Sequence, residues 1–242
     1  MAAVRSAMVS GQQRLIQSYL ALAKAITTES TPVLVITHGV SGSGKSHLAR
    51  RLACRLGWIR LRSDVERKRL FGLWGLPVRG LTAREVRSGD LYAAEVTEQL
   101  FGNQLPQCAE AILGAGLSLI VDATFLDRRH RLRFADLADR CGVRFVILDC
   151  RCSPELARRR LSARQAVGLD PSDADLAVLE RQLELRDPLE RSELASTLVA
   201  EASDADGCDG VDRPDLSLAA GQDDQDLLER LAAALMAAPA PD

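Results

Sequence analysis

The chain of 242 residues is long enough to bury the core of one α/β domain, with room for an appendage. Its formal net charge of −2 excludes a global basic field, so tight non-specific binding to long nucleic acid is not expected. Six cysteines without paired C-x-x-C spacing indicate a reducing compartment and no structural zinc. Because no apolar run reaches membrane-spanning length and no signal-peptide core is present, we expect a cytoplasmic protein without a membrane partner.

The N-terminal region, residues 1–31, is predicted to be a helical arm with apolar residues such as Leu15, Ile16 and Tyr19 on it. Ser30-Thr31-Pro32 ends the helical pattern, and we expect the main domain to cover residues 32–242. The arm is either a packing element or the remnant of a preceding domain, and the sequence leaves both interpretations open.

The most specific motif follows an apolar, β-branched strand at Val33–Thr37. Gly39–Ser46 match G-x-x-x-x-G-K-[ST], the phosphate-binding P-loop, between that strand and a helical pattern. Glycines let the backbone N–H groups turn toward phosphate, Lys45 supplies a charge, and the Ser46 hydroxyl suits Mg²⁺. The alternative, a Gly/Ser turn before an ordinary helix, seldom reproduces this full pattern. We therefore predict a site for ATP, formed by Gly39, Ser41, Gly42, Ser43, Gly44, Lys45, Ser46 and His47, with Lys45 also catalytic.

A short strand, Ile59–Arg62, leads into a charged helix that begins near Asp64. At the tip of this strand, Asp64 can accept the proton of an attacking hydroxyl group, and Arg67 one turn later can hold the acceptor. The alternative is that Asp64 only caps the helix, although one carboxylate can do both. Asp64 is predicted to be catalytic and, together with Arg67, to bind substrate.

The next segment, about residues 82–116, is mainly helical in pattern, and Pro106 is expected to break it. A buried strand at Leu117–Val121 follows and ends at Asp122-Ala123-Thr124. Asp122 is similar in position to a Walker-B acid, which contacts Mg²⁺ through water or fixes the acceptor; the alternative is a strand-end turn residue. A basic amphipathic helix over about residues 127–140 carries Arg131. Arg131 can lie near the substrate or, alternatively, on a solvated face of this helix. The predictions are Asp122, Thr124 and Arg131 for substrate, and Ser46 and Asp122 for the metal.

After a buried strand at Val143–Leu148, Ser153-Pro154-Glu155 is typical of a capped helix start. Arg160 and Arg164 share one face of that helix and, in a lid over about residues 153–188, could neutralise a transferred phosphoryl group. The alternative is an exposed basic helix. A fifth strand at Thr197–Ala200 and a last helix over about residues 223–237 complete the pattern.

Strands that alternate with helices predict a parallel sheet, and ligands bind at the carboxyl ends of such strands. The P-loop, Asp64, Asp122 and the loop before Ser153 all lie at predicted strand ends. Their coincidence at one edge of the sheet is stronger evidence for a site than any one of them.

Taken together, these motifs resemble the predicted P-loop kinases of the polynucleotide-kinase and zeta-toxin-like group. The resemblance covers about residues 32–188 and rests on Gly39–Ser46, Ser63-Asp64 with Arg67, Asp122-Ala123-Thr124 with Arg131, Arg160 with Arg164, and Ser172-Asp173-Ala174 with Gln182. It implies an α/β three-layer sandwich with a five-stranded parallel sheet of order 2-3-1-4-5 and a helical lid. It also implies transfer from ATP to a hydroxyl group, with Asp64 as general base, Arg67 as acceptor anchor and Arg160 and Arg164 as lid arginines. Bacterial members are often fused to an aminoglycoside-phosphotransferase-like domain, which is the partner domain implied here.

The leading prediction is an ATP- and Mg²⁺-dependent kinase that acts on a hydroxyl group of a small molecule. A 5′-hydroxyl polynucleotide kinase is the nearest alternative. Where the phage polynucleotide kinases have Asn after their Asp-Thr, however, this chain has Ala123-Thr124-Phe125, which argues against a nucleic-acid acceptor. A non-catalytic ATP-binding module that regulates a partner is the alternative from another class.

Overall fold

The computed structural model describes residues 31–71, 93–167, 176–201 and 222–237, and these form an α/β fold around one parallel sheet. All four strand pairings are parallel, and the strand order is β2-β3-β1-β4-β5. The predicted fold class, the fifth strand and the order 2-3-1-4-5 are therefore confirmed. The strands are β1 (Val33–His38), β2 (Ile59–Arg62), β3 (Leu119–Asp122), β4 (Arg144–Arg151) and β5 (Thr197–Glu201).

Helices connect and cover these strands. In the described ranges, no helix has the length and apolar character that a membrane span requires. The predicted arm falls outside the described residues apart from Thr31. The helices are α1 (Lys45–Leu56), α2 (Ser63–Leu70), α3 (Ala94–Gln99), α4 (Leu105–Gly114), α5 (Arg128–Cys141), α6 (Pro154–Val167), α7 (Leu176–Leu185), α8 (Arg191–Leu194) and α9 (Gln222–Met236).

The sheet has a hydrophobic core on each face, because alternate residues of a strand point to opposite sides. Leu34 and Ile36 of β1 pack in one cluster with residues of α4 and α5. Val33 and Val35 pack in the other cluster with residues of α1 and α9. All six residues of β1 are buried, as expected of the central strand of a parallel sheet covered on both faces.

The predicted break at Pro106 is wrong, because the backbone stays helical from α3 into α4. A π-helix, Leu100–Gln104, lies between them, and the Leu105 N–H donates to the Leu100 carbonyl five residues earlier. Proline lacks an N–H group and crowds the carbonyl four residues before it. Pro106 instead lies in the first turn of α4, directly after the wider π turn, where those demands are smallest.

Two predicted helix starts are confirmed in detail. The Ser153 hydroxyl accepts a hydrogen bond from the Leu156 N–H at 3.1 Å at the start of α6. At α5, the Asp127 carboxylate accepts from the Arg129 N–H at 2.8 Å. Both side chains satisfy backbone donors that the first helical turn leaves without a partner.

Candidate nucleotide and phosphotransfer site

The carboxyl ends of β1 and β3 are joined by side-chain and backbone hydrogen bonds. The Thr37 hydroxyl donates to the Ala123 carbonyl at 2.6 Å and accepts from the Ala123 N–H at 3.0 Å. The Gly39 N–H donates to the Thr124 carbonyl at 3.1 Å. These bonds fix the entrance of the P-loop to the segment that follows Asp122, so two of the predicted motifs lie side by side.

Two glycines of the P-loop have no room for a side chain. Gly39 has a φ of +137°, and a Cβ atom there would lie 2.4 Å from the Cys150 carbonyl oxygen. Gly42 has a φ of +82°, and its Cβ would lie 2.7 Å from the Ala157 carbonyl oxygen of α6. The loop is therefore pressed between the end of β4 and the first half of α6, which brings the predicted lid helix onto the predicted phosphate site.

Lys45 is buried at the start of α1, and its Nζ donates to the Val40 carbonyl oxygen at 2.6 Å. Burial lowers the pKa of Lys45 below its ordinary value, and nearby negative charges, those of Asp122 and Asp64 among them, act against this shift. The lysine charge therefore lies within electrostatic reach of both predicted carboxylates. Its ammonium group is held inside the loop by protein oxygens.

Asp122 is buried, and both of its carboxylate oxygens have protein partners. Oδ1 accepts from the Ser46 hydroxyl at 3.1 Å, which joins the two residues predicted to hold Mg²⁺. Oδ2 accepts from Nη2 and Nε of Arg60 at 2.6 Å and 3.0 Å. Arg60 was missed from the sequence, although an arginine in the strand before Asp64 was a usable signal, since β2 pairs with β3.

Asp64 and Arg67 lie on α2, at the carboxyl end of β2. The N-cap position of α2 is Arg62, so Asp64 lies in the first turn of the helix and not at the cap position. Arg67 is buried, and its Nη1 donates to the Thr97 hydroxyl at 3.5 Å. Glu66 is also buried and accepts from Gln104 of the π-helix at 3.2 Å, so α2 is held against the segment that precedes α4.

Arg160 of α6 is a buried cation beside the P-loop. It is 5% exposed, and its Nε and Nη1 have no hydrogen-bond partner among the residues described. Nη1 lies 3.6 Å from the position that a Cβ on Gly44 would take. By contrast, Arg158 on the same helix is exposed and pairs with Glu180 of α7 at 2.7 Å. The side chain of Arg164 lies outside the described part of the chain.

Arg131, predicted to bind substrate, instead contacts protein groups in the structure. Its side chain is buried, and Nε and Nη2 donate to the two carboxylate oxygens of Glu193 at 2.6 Å and 3.0 Å. Burial raises the pKa of Glu193, but hydrogen bonds from Arg131 and from the Glu190 N–H prevail and hold it below its ordinary value. The remaining guanidinium donors go to carbonyl oxygens of Phe125, Leu126, Asp187 and Pro188. With all its donors used by protein, Arg131 joins the turn after β3 to the segment after α7 and has none left for an acceptor.

Phe125, two residues after Ala123, has a left-handed backbone with a φ of +44°, which is unusual for a bulky residue. Its buried ring makes edge-to-face contacts with Phe101 and Phe134, with ring centroids 5.2 Å and 4.9 Å away. These contacts and the hydrogen bond from Arg131 hold the strained turn in place. This turn directs the Thr124 carbonyl oxygen toward the P-loop, where it accepts from the Gly39 N–H.

A buried hydrogen-bonded pair, His38 and Asp149, lies at the ends of β1 and β4, and the sequence did not suggest it. His38 Nδ1 is 2.7 Å from Asp149 Oδ1, and Arg151 Nε donates to Oδ2 at 2.6 Å. Burial raises the pKa of the Asp149 carboxyl, but these two hydrogen bonds prevail and hold it below its ordinary value. The pair ties together the two strands from which the P-loop and α6 begin.

Comparison with known proteins agrees with this architecture. Residues 34–189 match the family described as AAA domain, and the chain belongs to that family. A sugar kinase from Janibacter sp. HTCC2649 shares 20% identity over 84% of this chain and 94% of its own, with a TM-score of 0.54. A candidate kinase from Chloroflexus aurantiacus J-10-fl shares 23% identity over 72% of this chain and 87% of its own, with a TM-score of 0.52. At these identities the likeness shows the fold, which is that of the α/β P-loop kinases. No curated protein matches the chain.

Proposed function

We propose that the protein is a kinase that transfers the γ-phosphate of ATP to a hydroxyl group of a small molecule. The observation that carries this proposal is Arg160, a buried arginine beside Gly44 of the P-loop, whose Nε and Nη1 have no hydrogen-bond partner among the described residues. Buried guanidinium donors without a hydrogen-bond partner are costly to the folded state, so they point to an anionic ligand at that place. A phosphoryl group in transfer is such a ligand, and arginine matches its geometry.

The residues present fit a nucleotide and Mg²⁺. A P-loop whose glycines leave no space for Cβ atoms can bring its backbone N–H groups close to phosphate. The hydroxyl of Ser46 and the carboxylate of Asp122, already in contact, are the oxygen ligands that Mg²⁺ prefers. When bound, the ion would neutralise charge on the phosphate oxygens. Lys45 would leave the Val40 carbonyl and bind phosphate.

Asp64 is the proposed general base, since it lies at the end of β2 and close enough to Lys45 for their charges to interact. In that role its carboxylate accepts the proton of the acceptor hydroxyl as the oxygen attacks the γ-phosphate. Arg67, three residues later on α2, would hold the acceptor. Thr124 and the lid arginine Arg164 keep their predicted roles beside the acceptor and the phosphoryl group.

Several considerations favour a small acceptor over a polynucleotide. The net charge of −2 provides little general attraction to nucleic acid. Phe125 is buried in an aromatic cluster, so it offers no polar group to a nucleic-acid acceptor. The sugar kinase with the same fold is the reason to test sugars first. A preceding aminoglycoside-phosphotransferase-like domain would make aminoglycosides the second class to test.

The decisive experiment measures ATP consumption with a panel of sugars, aminoglycosides, nucleosides and 5′-hydroxyl oligonucleotides. We expect turnover with a small-molecule acceptor and a loss of about 10³-fold or more in the variant Lys45→Met, which removes the charge and keeps the length. Turnover only with oligonucleotides would assign a polynucleotide kinase. ATP binding with no turnover on any acceptor, together with a partner bound only in the ATP state, would assign a regulatory module.

The variant Asp64→Asn separates catalysis from binding. Asn keeps the size of the side chain but cannot take the proton, so turnover should fall by about 10²–10⁴-fold while the ATP dissociation constant changes little. The control is Asp139→Asn, the same change at an exposed position of α5. If turnover of Asp64→Asn stays near that of the control, Asp64 is not the base. If nucleotide affinity in Mg²⁺ falls together with turnover, Asp64 acts at the metal instead.

A further inference from the structure

Helices α6 and α7 close over the P-loop through a small hydrophobic cluster. Val40 of the loop packs with Ala157 and Leu161 of α6 and with Leu179 of α7, and all four are buried. The exposed pair Arg158–Glu180 also joins the two helices. One face of α7 is therefore directed at the loop, and the residue three positions after Leu179, Gln182, lies on this face.

Gln182 makes a polar contact with the P-loop backbone. The Ser41 N–H donates to Gln182 Oε1 at 2.7 Å, across 141 residues of sequence. The N–H groups of a P-loop are the donors that bind nucleotide phosphates. A phosphate oxygen at Ser41 would need the place that the Gln182 oxygen now takes.

A second donor of the loop is satisfied in the same way. Lys45 Nζ donates to the Val40 carbonyl oxygen at 2.6 Å and reaches Ser43 Oγ at 3.5 Å. Two donors that should bind phosphate, the Ser41 N–H and the Lys45 ammonium group, thus donate to protein oxygens. However, Val40 and Ser43 belong to the loop itself, whereas Gln182 reaches it from α7.

We propose that Gln182 is an affinity-determining residue of the nucleotide site, whose side-chain carbonyl takes the place of a phosphate oxygen on the Ser41 N–H. Nucleotide must displace this oxygen before it binds, so the hydrogen bond opposes binding. The inference rests on the proposed function, since it requires that the P-loop binds phosphate. It assigns a role in nucleotide affinity to α7, through a residue that the sequence marks only as part of the family resemblance.

Two substitutions at this position should act in opposite directions. Gln182→Leu removes the competing acceptor and keeps an apolar stem, so the dissociation constants of ADP and of a non-hydrolysable ATP analogue should fall by about fivefold. Gln182→Glu keeps the acceptor and adds a negative charge that repels phosphate, so both constants should rise by about tenfold or more. Calorimetric titration with Mg²⁺ measures them, and Glu184→Leu, an exposed change on the same helix, is the control.

A merely structural role for Gln182 predicts something different, namely weaker binding in both variants with a lower melting temperature. That result, or an unchanged affinity in a folded Gln182→Leu protein, would overturn the inference. If Gln182→Leu does not fold, Gln182→Ala removes the same acceptor and carries the same expectation. Should the wild-type protein bind neither nucleotide, the proposed function fails. Should it bind both, but without tighter binding in Gln182→Leu or Gln182→Ala, the inference alone fails.

Discussion

Replacing Arg160 should make the protein more stable and less active at the same time. In the free protein this side chain is 5% exposed, and Nε and Nη1 lack hydrogen-bond partners in the described structure. Each unsatisfied buried donor costs about 1–3 kcal/mol, so the two together cost about 2–6 kcal/mol. Arg160→Met removes both donors and the charge but retains most of the apolar stem. After allowance for lost packing, we expect the free energy of unfolding to rise by about 2 kcal/mol.

That gain corresponds to about 4–8 °C in melting temperature for a domain of this size. Turnover should fall by about 10³-fold, since an arginine on a transferred phosphoryl group contributes at least that much. The matched control is Arg158→Met on the same helix, where the side chain is 43% exposed and paired with Glu180. Its loss should change the melting temperature little, because exposed ion pairs contribute little to stability, and turnover should not change.

Thermal unfolding followed by circular dichroism, together with ATP turnover on the acceptor found in the panel, tests both parts. A melting temperature of Arg160→Met below that of the wild type would mean that the arginine is satisfied in the free protein. Unchanged turnover in a folded, more stable variant would remove Arg160 from the phosphoryl site. Either result contradicts the reasoning from burial to ligand.

Two further predictions concern packing around the site. Glu193→Gln leaves the charge of Arg131 buried without its counter-ion. The free energy of unfolding should fall by about 3 kcal/mol, which corresponds to about 6–12 °C in melting temperature. As a control, the same change at the exposed Glu229 should cost under about 0.5 kcal/mol. The pKa of Glu193 is lower in the folded state than in the unfolded state, so its contribution to wild-type stability is present above about pH 4.3 and is lost as the pH falls through the folded-state pKa. The free energy of unfolding, measured with urea, should therefore depend less on acid pH in Glu193→Gln than in the wild type. Gly42→Ala places a Cβ 2.7 Å from a carbonyl of α6, whereas Gly116→Ala, at a similar φ of +76°, meets nothing within 4 Å. Gly42→Ala should therefore lower the free energy of unfolding by about 1–3 kcal/mol more than Gly116→Ala, and equal losses would contradict the close contact between loop and lid.

Much of the fold could be predicted because its strands are apolar runs with clear ends. Val33–Ile36 and Phe145–Leu148 are continuous hydrophobic segments, which is what burial on both faces of a sheet requires. Alternation with helices then predicts a parallel sheet. The order of the strands does not follow from periodicity; it came from the resemblance to P-loop kinases. Pro106 was interpreted as a break because the local pattern does not show that a π turn can accommodate it.

The parts of the site that lie at strand ends were also predictable. Ser46 and Asp122 come from distant parts of the chain, yet they are in contact because β1 and β3 are neighbours and end at the same edge. The contacts of His38 and Gln182 could not be found in this way. Each depends on which residue of another element lies opposite, and no local motif encodes that.

Arg131 shows the limit of pattern analysis most clearly. An arginine on an amphipathic helix next to a predicted site can be exposed, contact a ligand or be buried in an ion pair, and its spacing is the same in all three cases. What decides among them is Glu193, which lies 62 residues later. Only the tertiary structure shows that the guanidinium group is fully used by protein.

The central position of β1 has a consequence for how the protein is made. β1 is synthesised before the other strands of the sheet, but the Val33 N–H donates to the Ser118 hydroxyl, 85 residues later, and His38 pairs with Asp149, 111 residues later. At synthesis rates of about 5–20 residues per second, the first of these partners follows after about 4–17 s. During that time the two edges of a largely apolar strand have no native partner, which is the situation in which nascent chains aggregate or bind chaperones. The strand that leads into the P-loop is thus made before both of its neighbours in the sheet, so the yield of active protein should depend on translation speed.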